Sequence, residues 1–390
     1  MHDVVVAGGG PAGLSAARAA AAAGARVLVL ERESAFGIPT RTSGGSFLAS
    51  LRALGIPDHL STPMHRVLFL GPTARADFRY PAPEVCILDV RALYQWMAEQ
   101  AAAAGAELAL RSTVLGVEQD GDGVRLRVRG QGGERTVAAH FAVDATGTAA
   151  VLSGALGAHP PFHRRGVGAE LDLAAPRFPV DTCVLAVGEA LAPSGYAWAF
   201  PYREGRVRLG VGVMRPDSSI DPRQLLDAAR RLPEVGDWLA AAQPVEVHAG
   251  IIPAEPLRTA LVHGRVVCAG DSASHASTLA GEGIRFAIGA GAGAGTAVAA
   301  ALRSGGTAPL HHFEQRWARR HRRDFAVAYR LNRLLAGFDD PHWDRAVDTL
   351  SRTPPWFAAA ALSTDFRPSG MLRLAAGHPR LAWRLLRAAA

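Results

Sequence analysis

The stretch Val4-Val5-Val6-Ala7-Gly8-Gly9-Gly10-Pro11-Ala12-Gly13, followed after an alanine-rich run by Leu28-Val29-Leu30-Glu31, decides the fold. A short apolar run ending in glycine reads as a buried strand, and the alanine-rich segment opening on Pro11 reads as a helix. Gly8, Gly10 and Gly13 meet the G-x-G-x-x-G spacing. The first permits a tight turn, the second lets backbone approach a pyrophosphate, and the third lets helix pack closely on sheet. The helix N-terminus supplies amide donors to the phosphates. Glu31 lies about 20 residues beyond the loop, where a carboxylate accepts hydrogen bonds from ribose hydroxyls. Strand, loop, helix, second strand and terminal acid together predict a dinucleotide-binding unit.

Working outward, Gly37 to Ser46 is rich in glycine and hydroxyls, a composition suited to close approach of backbone to a flat ligand. Leu88 to Ala104 predicts a helix and Ala106 to Leu110 a strand, another α/β step of the same sheet. Val114 to Val137 alternates apolar and polar residues around the turn signal Asp120-Gly121-Asp122-Gly123, which predicts a β-meander. It ends in Val143-Asp144-Ala145-Thr146-Gly147, a buried strand closing in a glycine turn. Gly166 to Ile252 alternates again and predicts an antiparallel substrate layer. Val266-Val267-Cys268-Ala269-Gly270-Asp271 then restores a short buried strand.

The nucleotide domain is therefore read as discontinuous, over 1–70, 88–160 and 253–305, with a β-sheet substrate domain over 71–87 and 161–252. A helical C-terminal region follows over 306–390, broken at Pro354-Pro355 and Pro368. The expected class is α/β plus antiparallel β.

Of the 390 residues, 49% are hydrophobic and 20% charged, the balance of an ordinary globular protein. All 42 basic residues are Arg, which excludes Lys-based chemistry such as Schiff bases. A formal charge of +7 is modest for this length and gives little support for nucleic acid. Cys86, Cys183 and Cys268 are scattered, with no C-x-x-C pair, so no metal site and no disulfide framework are expected.

The N-terminus enters the first strand directly, and the apolar run Phe286 to Leu302 is interrupted by four glycines, so a cytoplasmic location is expected. Arg319-Arg320-His321-Arg322-Arg323 reads as a solvated helix face, and Met371 to Ala390 as an amphipathic helix. Either allows at most peripheral contact with a membrane.

The glycine loop with Glu31, the Asp144-Ala145-Thr146-Gly147 turn and Gly270-Asp271 together resemble the glutathione-reductase-type FAD fold in its hydroxylase branch. Tyr196-Ala197-Trp198-Ala199-Phe200-Pro201 is similar to the Y-x-W-x-F-P segment of geranylgeranyl reductases, and Gly281-Glu282-Gly283-Ile284 resembles their G-x-G-I stretch. The resemblance covers nearly the whole chain. It implies FAD contacts at Gly8, Gly10, Ala12, Gly13, Glu31, Arg32, Arg41, Arg91, Asp271, Gly281, Gly283 and Ile284. It implies substrate contacts at Ser43, Tyr196, Trp198, Phe200 and Pro201, where an isoprenoid needs an aromatic-walled groove. Tyr196, Trp198 and Phe200 also fit one face of a core strand, because their period is two. His275 is the titratable residue nearest in sequence to the expected flavin site and is a candidate proton donor. Glu282 can instead pair with Arg285 across one helix turn.

Several positions depart from the families considered. Ser43 stands where many of these reductases carry Cys, and Thr278 where they carry Pro. A flavin halogenase is disfavoured, because its W-x-W-x-I-P motif is replaced and its catalytic Lys is absent. The implied activity is reduction of carbon-carbon double bonds in a prenyl lipid by reduced FAD, with NAD(P)H, reduced ferredoxin or a partner protein supplying electrons. Two alternatives share the scaffold: a monooxygenase acting on a lipophilic natural product, and a lycopene-cyclase-like isomerase.

Overall fold

The computed structural model describes residues 2–377. Strand His2–Ala7 lies between Gly133–Asp144 and Val27–Leu30, parallel to both, and the parallel array continues to Val266–Cys268 on one side and Glu107–Ala109 on the other. Alternate residues of the first strand serve different cores. Val4 and Val6 pack among helices, whereas Val5 and Ala7 pack under the meander Thr113–Gln119, Val124–Gly130 and Gly133–Asp144. A strand covered on both faces has no polar side to show, which is why it reads as an unbroken apolar run.

The glycines of Ile284–Ser304 have a packing explanation. A Cβ on Gly291 would stand 2.0 Å from the Ala12 carbonyl oxygen, and one on Gly295 would stand 2.2 Å from that of Ala16. This helix therefore lies in backbone contact with Pro11–Ala22. On its opposite side Gly293 receives the Phe313 ring, 2.6 Å from where its Cβ would be, so Ala308–Leu335 docks there. By length and composition alone the helix could cross a membrane, yet most of it is buried between these two neighbours.

The second sheet runs Gln243–Pro253, Arg165–Ala174, Arg206–Arg215, Tyr196–Arg203, Thr182–Ala186, Arg66–Leu70 and Arg75–Arg79. Arg66–Leu70 joins it ahead of the expected boundary at residue 71, and it pairs with Thr182–Ala186 in parallel. On the outer face Ala169, Ala197, Ala199, Leu209 and Val211 pack against the short helices Leu226–Arg230 and Val235–Leu239. The inner face turns toward the nucleotide unit. A small sheet of Gly45–Phe47, Val85–Leu88 and Ser61–Pro63 joins the two.

From residue 306 to 377 the chain is mainly helical. Pro355 and Pro368 each open a helix, where a missing N–H costs nothing. Arg319, Arg320, Arg322 and Arg323 are exposed on Ala308–Leu335, while His321 turns inward against Trp317, ring centroids 4.2 Å apart. Of the expected amphipathic segment Met371 to Ala390, residues 378–390 lie outside the described residues.

Candidate active site

The glycine loop opens on a cavity of about 380 Å³, within the range of ligand clefts. Gly8 is at φ +104°, and a Cβ there would stand 2.2 Å from the Ala145 oxygen, so the loop and the Asp144-Ala145-Thr146-Gly147 turn meet through Gly8. Gly13 sits under the Gly8 carbonyl, 1.9 Å from where its Cβ would be. Gly10 differs from both: it lines the cavity and nothing stands within 4 Å of a Cβ placed on it. The helices beginning at Pro11 and Ile284 both lack a side-chain cap, and their first turns line this same cavity. Uncapped amides at two converging helix ends suit a pyrophosphate.

Glu31 accepts from the Gly9 amide at 2.6 Å and the Glu33 amide at 2.9 Å, which fixes its carboxylate at the cavity wall. Asp271 lies in the short 3₁₀ turn Gly270–Ala273, and burial pushes its carboxyl up to about 6. Gly270, at φ +77°, leaves room for the Ala12 methyl, 2.8 Å from where its own Cβ would be. Asp144 secures the neighbouring turn by accepting from the amide and hydroxyl of both Thr146 and Ser153, at 2.6–3.2 Å. These features fit FAD on chemical grounds, with room at Gly10, amide donors for phosphate and carboxylates for hydroxyls.

Of the residues expected at the cofactor, Gly8, Gly10, Ala12, Glu31, Arg32, Arg41, Asp271, Gly281, Gly283 and Ile284 line the cavity. Gly13 stands beneath the loop. Arg91 is not among the lining residues, and its guanidinium meets Glu246 at 2.8 Å and 2.9 Å. Nor is His275, which is fully buried with its ring 4.8 Å from that of Trp317. Its Nδ1 accepts from the Gly270 amide, and burial, then the nearby His321, pull it down to about 3. A neutral His275 therefore braces the Gly270 turn. Glu282 pairs with Arg285 at 2.8 Å.

A second cavity of about 90 Å³ adjoins the first through shared walls at Arg41, Thr42, Ile252 and Gly281. Sheet register explains it. Tyr196, Gly212, Gly168 and Gly250 form one row across four strands, and Trp198, Gly210, Glu170 and His248 form the next. Phe200, Arg208, Asp172 and Glu246 form a third. Gly168 and Gly212 of the first row leave a trough in the sheet surface, and Gly250 admits the loop that closes its end. Trp198 lies over Gly210, where a Cβ would stand 2.3 Å from the indole, and so its Nε1 reaches Glu170 two strands away at 2.9 Å.

Loop residues Arg41 to Ser43 roof the trough. A Cβ on Gly250 would stand 2.1 Å from the Arg41 oxygen, and buried Arg208 donates to the Ser43 and Leu88 carbonyl oxygens, both at 3.0 Å. Ser43, Tyr196 and Trp198 line the trough; Phe200 packs against Gly45 beside it, and Pro201 is buried at a bulge in its strand.

Sequence reading did not single out Glu170, Arg208 or His248. Each sits between two apolar residues with a second charged residue two positions along the strand (Asp172, Arg206 and Glu246), a usable signal once the register is known. Among the described residues two clusters bring ligand-type atoms within 4.8 Å of one another: His159, His263 and Cys268, and Asp172, Glu246 and His248. The first is occupied by an imidazole-imidazole contact of 3.2 Å, and in the second Arg206 and Arg91 neutralise the two carboxylates.

Comparison with known proteins agrees with this arrangement. The digeranylgeranylglycerophospholipid reductase 2 of Methanopyrus kandleri is 28% identical over 373 residues, covering 90% of each chain. A geranylgeranyl bacteriochlorophyll reductase-like protein from Thermoplasma acidophilum superposes with a TM-score of 0.85 over 99% of this chain and 98% of its own, at 22% identity. A flavin-dependent brominase variant, 18% identical, covers 95% of this chain and 97% of its own with a TM-score of 0.69. At those identities both structural likenesses are of fold. The profile of the FAD binding domain matches residues 1–327, so the chain belongs to that FAD-binding family.

Proposed function

We propose that this protein is an FAD-dependent reductase that saturates carbon-carbon double bonds of a prenyl lipid. The observation that carries the reading is the trough: a slot floored by Gly168 and Gly212, closed at Gly250 by the Arg41 backbone, walled by Tyr196 and Trp198, and sharing walls with the cofactor cavity. At about 90 Å³ it holds one segment of a chain and not a whole tail, as suits a substrate threaded past the reacting centre. The relative from Methanopyrus, named for a digeranylgeranyl glycerophospholipid, supports the same reading.

FAD, when bound, supplies a hydride from its reduced form. The residues described do the rest. The glycine loop, Glu31, the Gly270-Asp271 turn and Gly281 to Ile284 would hold the cofactor, and the roofed trough would orient the chain and exclude water. Among the described residues no second glycine-rich nucleotide unit is present, so electrons are proposed to arrive from transiently bound NAD(P)H or reduced ferredoxin. The protein is proposed to work in the cytoplasm with peripheral membrane contact. Val245, Val247 and Ile251 support the membrane contact, being 54%, 65% and 47% exposed on the outer side of the strand that carries His248 inward.

The test is anaerobic. Photoreduced holoprotein mixed with a geranylgeranyl glycerophospholipid regains its oxidised flavin absorbance without oxygen; flavin that stays reduced until air is admitted contradicts the reading.

A further inference from the structure

His159, His263 and Cys268 are far apart in sequence, yet the fold gathers them at one edge of the nucleotide sheet. Val262–His263 and Val266–Cys268 are the last two strands on that edge and pair antiparallel. His159 reaches them from the loop between Val151–Ala155 and Arg165–Ala174. The Nε2 atoms of the two imidazoles stand 3.2 Å apart, and a nitrogen of each lies within 4.8 Å of the Cys268 sulfur.

The spacing suits a shared ion. Two imidazole nitrogens at about 2.0–2.1 Å from one tetrahedral zinc are roughly 3.3 Å apart. The contact that closes the cluster therefore already holds both nitrogens at the edge length of such a site. The sulfur has to approach from at most 4.8 Å to the roughly 3.6 Å of an N–Zn–S edge, a movement within reach of one side-chain torsion. Two imidazole nitrogens this close cannot both carry protons, so at least one lone pair points into the cluster. The Ala260 carbonyl oxygen, 2.9 Å from His159 Nε2, is a fourth donor.

The surroundings suit a cation as well. Cys268 is fully buried and both histidines are half-buried, which gives a dry thiol side and an open imidazole side for entry. The Ser153 hydroxyl, bonded to the Asp144 carboxylate at 3.0 Å, stands against the thiol. Glu314 accepts from the Leu261 and Val262 amides at 2.5 Å and 3.1 Å, so two carboxylates flank the cluster. Arg258 opposes them, but it donates to the Pro160 carbonyl oxygen at 2.6 Å and stacks on Phe162.

We infer that His159, His263 and Cys268, with the Ala260 carbonyl oxygen as fourth ligand, form a binding site for one divalent ion of the zinc class. A thiolate with two imidazoles selects such an ion over magnesium or calcium. Without it the thiol keeps its proton, because burial and then Asp144 push it up. On binding, the metal–sulfur bond replaces the S–H bond and the proton leaves to solvent; no electrons move. The bound ion clasps the loop leading into Arg165–Ala174, which carries Gly168, to the strand leading into the Gly270-Asp271 turn. The site stands apart from the reductase reading.

The experiment titrates FAD-loaded full-length protein, freed of metal by a chelator, with Co2+ at wavelengths beyond the flavin absorption. One equivalent should develop the bands of tetrahedral cobalt, and Zn2+ should remove them. His312→Ala, at an exposed histidine outside the cluster, should behave as wild type. The bands should be absent in Cys268→Ser and in His159→Ala at unchanged FAD content. His159 lies on a partly exposed loop, so His159→Ala decides the question if Cys268→Ser does not fold. Zinc at about a hundredfold excess over its Kd should raise the wild-type melting midpoint by about 3 °C and leave both cluster variants unmoved. Wild type without the bands, bands that survive in the cluster variants, or a wild-type midpoint that zinc does not raise overturns the inference. None of these results bears on lipid reduction.

Discussion

At the scale of single residues, the glycines of the nucleotide unit divide into those that meet protein and those that meet ligand. Gly291 meets the Ala12 backbone, so Gly291→Val should lower stability by about 3 kcal/mol in urea unfolding, at the upper end of overpacking. Gly10 meets open space with an ordinary φ of −80°, so Gly10→Val should fold normally and lose at least about tenfold in FAD affinity, measured by flavin titration. Motif spacing placed Gly10, but not Gly291 or this difference, because what faces a glycine depends on a helix nearly 280 residues away in sequence. Asp271 adds a pH signature. Its folded value of about 6 lies above the ordinary 3.8, so the apoprotein keeps its full stability below 3.8 and loses part of it as pH rises through 6. Thermal melts of apoprotein should fall between pH 4 and 7 in wild type and stay flatter in Asp271→Asn.

At the scale of elements, the decisive object is the inner face of the antiparallel sheet. Its strands were legible from alternation, and Tyr196, Trp198 and Phe200 from their shared face. The trough was not, because it depends on which residues stand opposite one another, and a strand's register is fixed by pairings the linear pattern does not carry. Gly168 and Gly250 look unremarkable in sequence and join Gly212 in one row only in register. Gly168→Val should therefore fill the slot, abolish lipid-dependent flavin reoxidation and leave FAD content unchanged; loss of flavin instead would place the trough's function elsewhere. Trp198→Phe keeps the wall and removes the bond to Glu170, so it should impair turnover less than Trp198→Ala does.

At the scale of the whole molecule, the two units meet where the cofactor cavity and the trough share walls, and the apolar outer stripe of Gln243–Pro253 lies along the strand that carries His248 inward. The nucleotide unit, its discontinuity and the helical C-terminal region could be read from the chain. His275 could not be placed, because closeness in sequence to Asp271 put it behind the cavity wall against Trp317. Val247→Glu should depress turnover of lipid in vesicles several-fold more than turnover of detergent-dispersed lipid; equal effects would argue against membrane contact through this strand. The account's central claim is that the trough presents a prenyl chain to reduced flavin for saturation. Product mass after turnover of a geranylgeranyl glycerophospholipid, with and without oxygen, tests it most directly: hydrogen gained in both atmospheres is the predicted result, and oxygen gained only in air would contradict it.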